Sequence, residues 1–317
     1  MIQLGLIGCG EHAEVGHAIP LARYKAAHPD HIELTAACDV QLPRAQDFCR
    51  KYGFKHAYGS TKEMLDQVKL DGCITVVPPG CIAEVGASLL QMGIPCVVEK
   101  PLGTSLHEVA FLLDTAKTTG TRNMVSVNRR FMPFLNHALE WTRSIGPLRY
   151  VRCTMTRHAR SEPEFLWTTA IHAVDGLRYI AGEVSESSVR IMKSDDLASW
   201  HAIDLRFNSG THGRIDVLPT TGIVEETYDL FGEDFQASVT SPFGTQRSVR
   251  CFRNQQLVLE EVAGDKLPED VLDGGYAEAK EFIRALREGD APHPSIEDVA
   301  LSVMLCLMMA KNMKGSK

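Results

Sequence analysis

Two stretches of this chain carry residues whose types and spacing suit proton-coupled chemistry. The first is Cys96-Val97-Val98-Glu99-Lys100-Pro101-Leu102-Gly103, where three apolar strand formers run into a Glu-Lys pair and a proline stops the strand. Ligands of open parallel sheets bind at the carboxyl ends of the strands, so a lysine fixed there stands on rigid scaffold beside the crevice. The second is Ile171-His172-Ala173-Val174-Asp175, whose imidazole and carboxylate lie three residues apart and share one helix face. An imidazole titrates near neutrality and suits a general base, while an ammonium suits a developing alkoxide. Each stretch also has a plain reading. Lys100 would then be a solvated turn residue, and His172 and Asp175 a pair satisfying each other on a helix surface.

Such residues need a framework, and the N-terminal third supplies one. Ile2-Gln3-Leu4-Gly5-Leu6-Ile7 reads as a buried strand, followed by Gly8-Cys9-Gly10-Glu11-His12-Ala13, which fits G-x-G-x-x-G/A. Gly8 permits the tight turn, Gly10 lets backbone approach a pyrophosphate, and Ala13 lets helix pack on strand. The helix opening here offers free N–H groups and its positive dipole end to phosphates. A second strand, Ile32 to Cys38, ends at Asp39, placed to accept hydrogen bonds from an adenosine ribose. The plain alternative for Asp39 is a cap on the helix starting near Pro43. No arginine follows Asp39 directly; Arg44 is the nearest cation for a 2′-phosphate, so NAD is favoured over NADP.

The alternation of strand and helix continues. Ser60-Thr61-Lys62-Glu63 and Ser105-Leu106-His107-Glu108 are capping boxes that open helices. Gly72 to Val77 is a buried strand stopped by Pro78-Pro79-Gly80, and Asn123 to Val127 is a sixth strand. The pattern specifies an α/β fold beginning with a doubly wound parallel sheet over residues 1–127. The cofactor-binding set on that sheet is Gly8, Gly10, Glu11, His12, Ala13, Asp39, Val77, Pro78, Glu99 and Lys100, joined by Asn128 just beyond it.

Composition narrows the classes. A chain of 317 residues with formal net charge -7 has no electrostatic footprint for nucleic acid, and its cations are scattered rather than gathered into a membrane patch. Nine cysteines include no CxxC pair, and several sit in strand patterns, which fits a reducing compartment. No signal peptide is read at the start, and the longest apolar stretch, Ala300 to Ala310, is too short to span a bilayer. A cytoplasmic protein without metal-ligand spacing is expected.

With Gly8 to Ala13, Asp39, Glu99-Lys100-Pro101, Asn128-Arg129-Arg130-Phe131 and Ile171 to Asp175 in order, the chain resembles the Gfo/Idh/MocA oxidoreductases. The resemblance covers nearly the whole chain. It implies a second α/β domain, residues 128–317, with a large open, mostly antiparallel sheet that floors the substrate pocket and often forms a homodimer or homotetramer interface. It also implies a cis peptide before Pro101 and places His172 as the catalytic histidine facing the nicotinamide. The implied reaction is hydride transfer between NAD(P) and a secondary alcohol or ketone of a sugar, cyclitol or related polyol. Lys100, His172 and Asp175 form the catalytic set, with Asp175 orienting the imidazole. Lys100, Arg129, Arg157, His158, Thr168 and His172 form the substrate set, Arg160 standing near them, with two arginines suggesting a polar or anionic substituent. Surface charge is the alternative for Arg157, His158 and Arg160.

Residues 133 to 144 read as a helix, Leu148 to Thr156 as a strand, and Thr169 to Ala181 as a helix closed by Gly182. Alternating segments follow, then helices from Tyr276 to Arg287 and from Ile296 to Asn312. Two positions depart from the family pattern. Thr168 stands where relatives carry an aspartate four residues before the histidine, and threonine cannot carry charge. Ile82 stands where a histidine is common. Two other classes remain open on this fold: a dinucleotide-binding regulator without turnover, and a glycosidase that retains NAD and consumes none.

Overall fold

The apolar runs of the N-terminal third become parallel strands in the computed structural model, which describes residues 1–193, 199–264 and 267–314. They are Ile2–Ile7 (β1), Ile32–Cys38 (β2), His56–Tyr58 (β3), Gly72–Thr75 (β4), Cys96–Glu99 (β5) and Asn123–Ser126 (β6). Their order in the sheet is β3-β2-β1-β4-β5-β6, the doubly wound arrangement with its switch point between β1 and β4. Every residue of β2, β4 and β5 is buried, as expected for strands covered on both faces. The capping boxes form: Ser60 Oγ accepts from the Glu63 N–H and Ser105 Oγ from the Glu108 N–H. The short β3 has too few residues to show an alternation in the sequence.

The chain divides into two compact units, Met1–Val127 with Gly275–Met304, and Asn128–Gly274 with Leu305–Lys317. The return of residues 275–304 to the first unit was not expected from the sequence. Packing explains it. Phe282 and Leu286 of the helix Gly275–Glu288 are buried, and they lie so close to Gly72 that a Cβ there would come within 2.7 Å of Leu286 Cδ1. The next segment ties to β6, where the Val125 N–H donates to the Pro294 carbonyl at 2.8 Å and the Ile296 N–H to Asn123 Oδ1 at 2.8 Å.

In the second unit an eight-stranded sheet is described. Its strands are Tyr150–Thr156 (β7), Val184–Lys193 (β8), Trp200–Phe207 (β9), His212–Leu218 (β10), Glu225–Gly232 (β11), Phe235–Thr240 (β12), Ser248–Arg253 (β13) and Gln256–Val262 (β14). The order is β14-β13-β12-β11-β7-β10-β9-β8, and β7 with β10 is its parallel pair, the others running antiparallel. The helices Pro133–Arg143 and Ile171–Ala181 pack on one face, where Val151, Cys153 and Met155 of β7 are fully buried. The alternate residues of the same strands carry ion pairs, Arg152 with Asp229 and Arg214 with Asp216. Among the described residues no helix is long and apolar enough to cross a membrane.

Candidate active site

Gly8 has φ +90°, and a Cβ there would lie 1.9 Å from the Val76 carbonyl oxygen, so the turn after β1 admits glycine alone. Gly10 is extended at φ -88° and caps the helix that follows; a Cβ there would meet nothing within 4 Å. Backbone at Gly10 thus faces open space, as a cradle for a pyrophosphate requires. Ala13 is fully buried. Asp39 Oδ2 accepts from the Cys9 N–H at 2.8 Å, and Oδ1 from the Gln41 N–H at 2.8 Å. The carboxylate therefore braces the glycine turn and its own turn ahead of the helix Leu42–Tyr52. Gln41, not Asp39, is the N-cap of that helix, so the cap reading of Asp39 does not hold, and the carboxylate has further lone pairs of the kind a ribose hydroxyl needs. Val77 is half-buried and Pro78 exposed where β4 gives way to the helix Pro79–Gln91, and Pro78 is that helix's N-cap. Ile82 is 1% exposed and serves the core. These residues fit a dinucleotide.

Glu99 ends β5 and Lys100 follows it. The Lys100–Pro101 peptide is cis, as the resemblance implied. Glu99 is buried, and its Oε1 meets His17 Nε2 at 2.8 Å and His12 Nε2 at 3.0 Å. Its Oε2 accepts from the Lys100 N–H at 3.0 Å. Burial alone would raise the Glu99 carboxyl, but the charges and hydrogen bonds of His12 and His17 outweigh it and hold the group well below the usual range. Glu99, expected among the cofactor ligands, has its carboxylate committed to neighbouring protein groups.

His172 is buried in the first turn of the helix Ile171–Ala181, and Asp175 lies on the same helix, 1% exposed. Arg130 holds Asp175 through two hydrogen bonds, Nε to Oδ2 at 2.8 Å and Nη2 to Oδ1 at 2.7 Å. Arg130 is thus a partner of Asp175 that spacing did not point to. Thr168 is half-buried and its hydroxyl donates to the Glu164 carbonyl at 2.9 Å, one helical turn back.

The basic residues beyond β7 do not come together as a cationic cluster. Arg157 is buried and pairs with Glu226, its Nη1 donating to the Thr156 carbonyl. Arg129 reaches the same carboxylate with Nη2 at 2.7 Å and Nε at 3.1 Å, and Nη1 donates to Asn128 Oδ1 at 2.9 Å. Both guanidiniums lie over the Phe243 ring, and the Tyr228 hydroxyl completes Glu226. Burial would raise the Glu226 carboxyl; the two guanidiniums prevail and bring it to about 2. Exposed His158 contacts the Thr221 carbonyl through Nδ1 at 3.0 Å, and Arg160 pairs with Glu162. Arg129 and Arg157, expected to touch substrate, are instead the arms of a buried structural cluster. Glu226 is the residue sequence reading missed, and an acid on the inward phase of β11 was its signal.

The strand order, the open turn at Gly10 and the acid closing β2 fit the binding of a dinucleotide. Residues 2–128 match the model of the Gfo/Idh/MocA family, described as oxidoreductases with an NAD-binding Rossmann fold. It is 24% identical to the myo-inositol 2-dehydrogenase of Thermotoga maritima, over 100% of this chain and 97% of that protein. It is 24% identical to the 4-carboxy-2-hydroxymuconate-6-semialdehyde dehydrogenase of Sphingobium, over 85% of this chain and 87% of that one. A dehydrogenase structure from Chromobacterium violaceum superposes with a TM-score of 0.86 at 20% identity, covering 100% and 98% of the two chains. The chain is an NAD-binding oxidoreductase.

Proposed function

We propose that this protein transfers hydride between NAD(P) and a secondary alcohol or ketone of a sugar, cyclitol or related polyol. The observation that carries the substrate class is the full-length likeness to a myo-inositol 2-dehydrogenase. Bound nicotinamide supplies the hydride chemistry; the protein must hold the reacting carbon and move the hydroxyl proton. Lys100, rigidly mounted at the end of β5, hydrogen-bonds the reacting oxygen and stabilises its developing charge. His172 takes the proton as general base. Asp175, gripped by Arg130, holds the first turns of that helix in register with the imidazole. Thr168 offers substrate a hydroxyl without charge. Asp39 leaves NAD the preferred cofactor, because a second acidic charge beside a 2′-phosphate is repulsive.

The test is absorbance of reduced nicotinamide against sugars, inositols, amino sugars, sugar acids and aldehydes, each with NAD and with NADP. Turnover of a polyol is expected, lost by at least about a hundredfold in Lys100→Met while NAD affinity stays within about threefold. Full turnover in Lys100→Met removes the assignment. A wild type that binds NAD yet turns over nothing in the panel overturns the dehydrogenase reading. The Thr168→Asp variant, run in parallel, reads the effect of the missing charge.

A further inference from the structure

Pro20 lies inside a helical run extending from Glu11 to Ala27. Proline has no N–H to give the carbonyl four residues back, and its ring crowds that carbonyl. The run responds by widening into a π-helical turn over Glu14–Ala18, in which the Ile19 N–H donates to the Glu14 carbonyl, five residues back. Residues five apart then come onto one face. His12 and His17 are such a pair, their rings edge to face with centroids 6.5 Å apart, and both Nε2 atoms reach Glu99 Oε1. In an α-helical register the two imidazoles would diverge.

Glu99 is the residue before Lys100, and its other oxygen accepts the Lys100 N–H. On its far side Lys100 is followed by proline, which confines its backbone to extended conformations. The Lys100 peptide is thus fixed from both directions, and the fixing carboxylate is itself anchored on the helix of the glycine turn. His17 is 5% exposed, and loss of its donor on that buried side would leave the carboxylate poorly satisfied.

We propose that His17, acting through Glu99, is a positioning residue for Lys100, and that the π turn exists to bring it there. The inference rests on Lys100 acting in the reaction proposed above. The consequence is that geometry at the end of β5 is set by the helix of the dinucleotide loop.

Three variants test it. His17→Gln keeps a donor at the Nε2 position, His17→Asn places its amide too short to reach Glu99, and His17→Phe keeps the ring without a donor. Two readouts apply to the intact protein: steady-state turnover with NAD affinity, and the rate at which trinitrobenzenesulfonate modifies Lys100, read by peptide mass spectrometry. His17→Phe and His17→Asn are expected to lose at least about tenfold in kcat with NAD affinity within about threefold, and His17→Gln to recover most of it. Lys100 modification is expected to change by at least about threefold in the first two and to return toward wild type in the third. If His17→Phe fails to fold, the Gln and Asn variants make the same comparison. Equal Lys100 modification in wild type and all folded variants overturns the proposal whatever the turnover. If no substrate is found, the dehydrogenase reading falls separately, and the modification rates still decide whether His17 positions Lys100.

Discussion

Arg130 and Asp175 form a bidentate pair, with Nε–Oδ2 of 2.8 Å and Nη2–Oδ1 of 2.7 Å, and the carboxylate is 1% exposed. The pair joins the turn after β6 to the helix of His172. Removing one member leaves the other charged and buried, which is costlier than the pair itself is favourable. Arg130→Met should therefore lose about 3–5 kcal/mol in urea unfolding, and combining it with Asp175→Leu should recover part of that loss. A single variant as stable as wild type would show that water reaches Asp175.

The Arg129–Glu226–Arg157 cluster gives a pH dependence of definite sign. Glu226 falls from an ordinary value of 4.5 to about 2 because two guanidiniums outweigh its burial. A depressed carboxyl contributes stability that is complete above its unfolded value and is lost as pH falls through the folded one. The stability gap between wild type and Glu226→Gln should be constant above about pH 5 and shrink toward pH 2. Denaturant midpoints measured across that range check it; a gap that closes between pH 7 and 5 contradicts the assignment.

The two glycines of the turn after β1 should fail in different ways. Gly8→Ala meets the Val76 carbonyl at 1.9 Å in a left-handed conformation, so it should cost more than about 2 kcal/mol of stability. Gly10→Ala meets nothing and keeps an extended backbone, so stability should hold or rise by up to about 1 kcal/mol. Its methyl group instead fills the space a pyrophosphate needs, and NAD affinity should fall at least about tenfold. Thermal unfolding with and without NAD separates the two.

Pro20→Ala returns the missing N–H and removes the ring that forces the π turn. The helix should relax to α register with unchanged or higher stability, while His17 moves away from Glu99. Nuclear magnetic resonance of the imidazole Nε2 protons reads this directly. Persistent protection of the His17 proton in Pro20→Ala would mean that something other than Pro20 sets the turn.

What could be read in the sequence was local. Gly8, Gly10 and Ala13 announce themselves because a tight turn constrains adjacent residues, and Ser60 with Glu63 cap a helix within three positions. Arg129, Arg157 and Glu226 meet across separations of 97 and 69 residues, which no periodicity encodes. Their basic character suggested a substrate-facing cluster, and only the inward phase of Glu226 on β11 hinted otherwise. His172 and Asp175 were rightly placed on one helix, yet Arg130, 45 residues before Asp175, was invisible as its partner. The π turn was missed for another reason. A proline within a helical pattern reads as a boundary, whereas here the helix continues past it at a wider pitch.

The helix Gly275–Glu288 covers apolar surface at Gly72 that belongs to a sheet finished by residue 126. A ribosome exposes the N-terminal chain first. The nucleotide-binding unit therefore emerges with its six strands but without Phe282 and Leu286, and stays incomplete until almost the whole chain has been synthesised. A nascent chain arrested before Gly275 would show this patch to chaperones. The segment Gly275–Met304 thus acts as the closing piece of the first unit, and truncations that remove it should be read as folding defects of the N-terminal sheet.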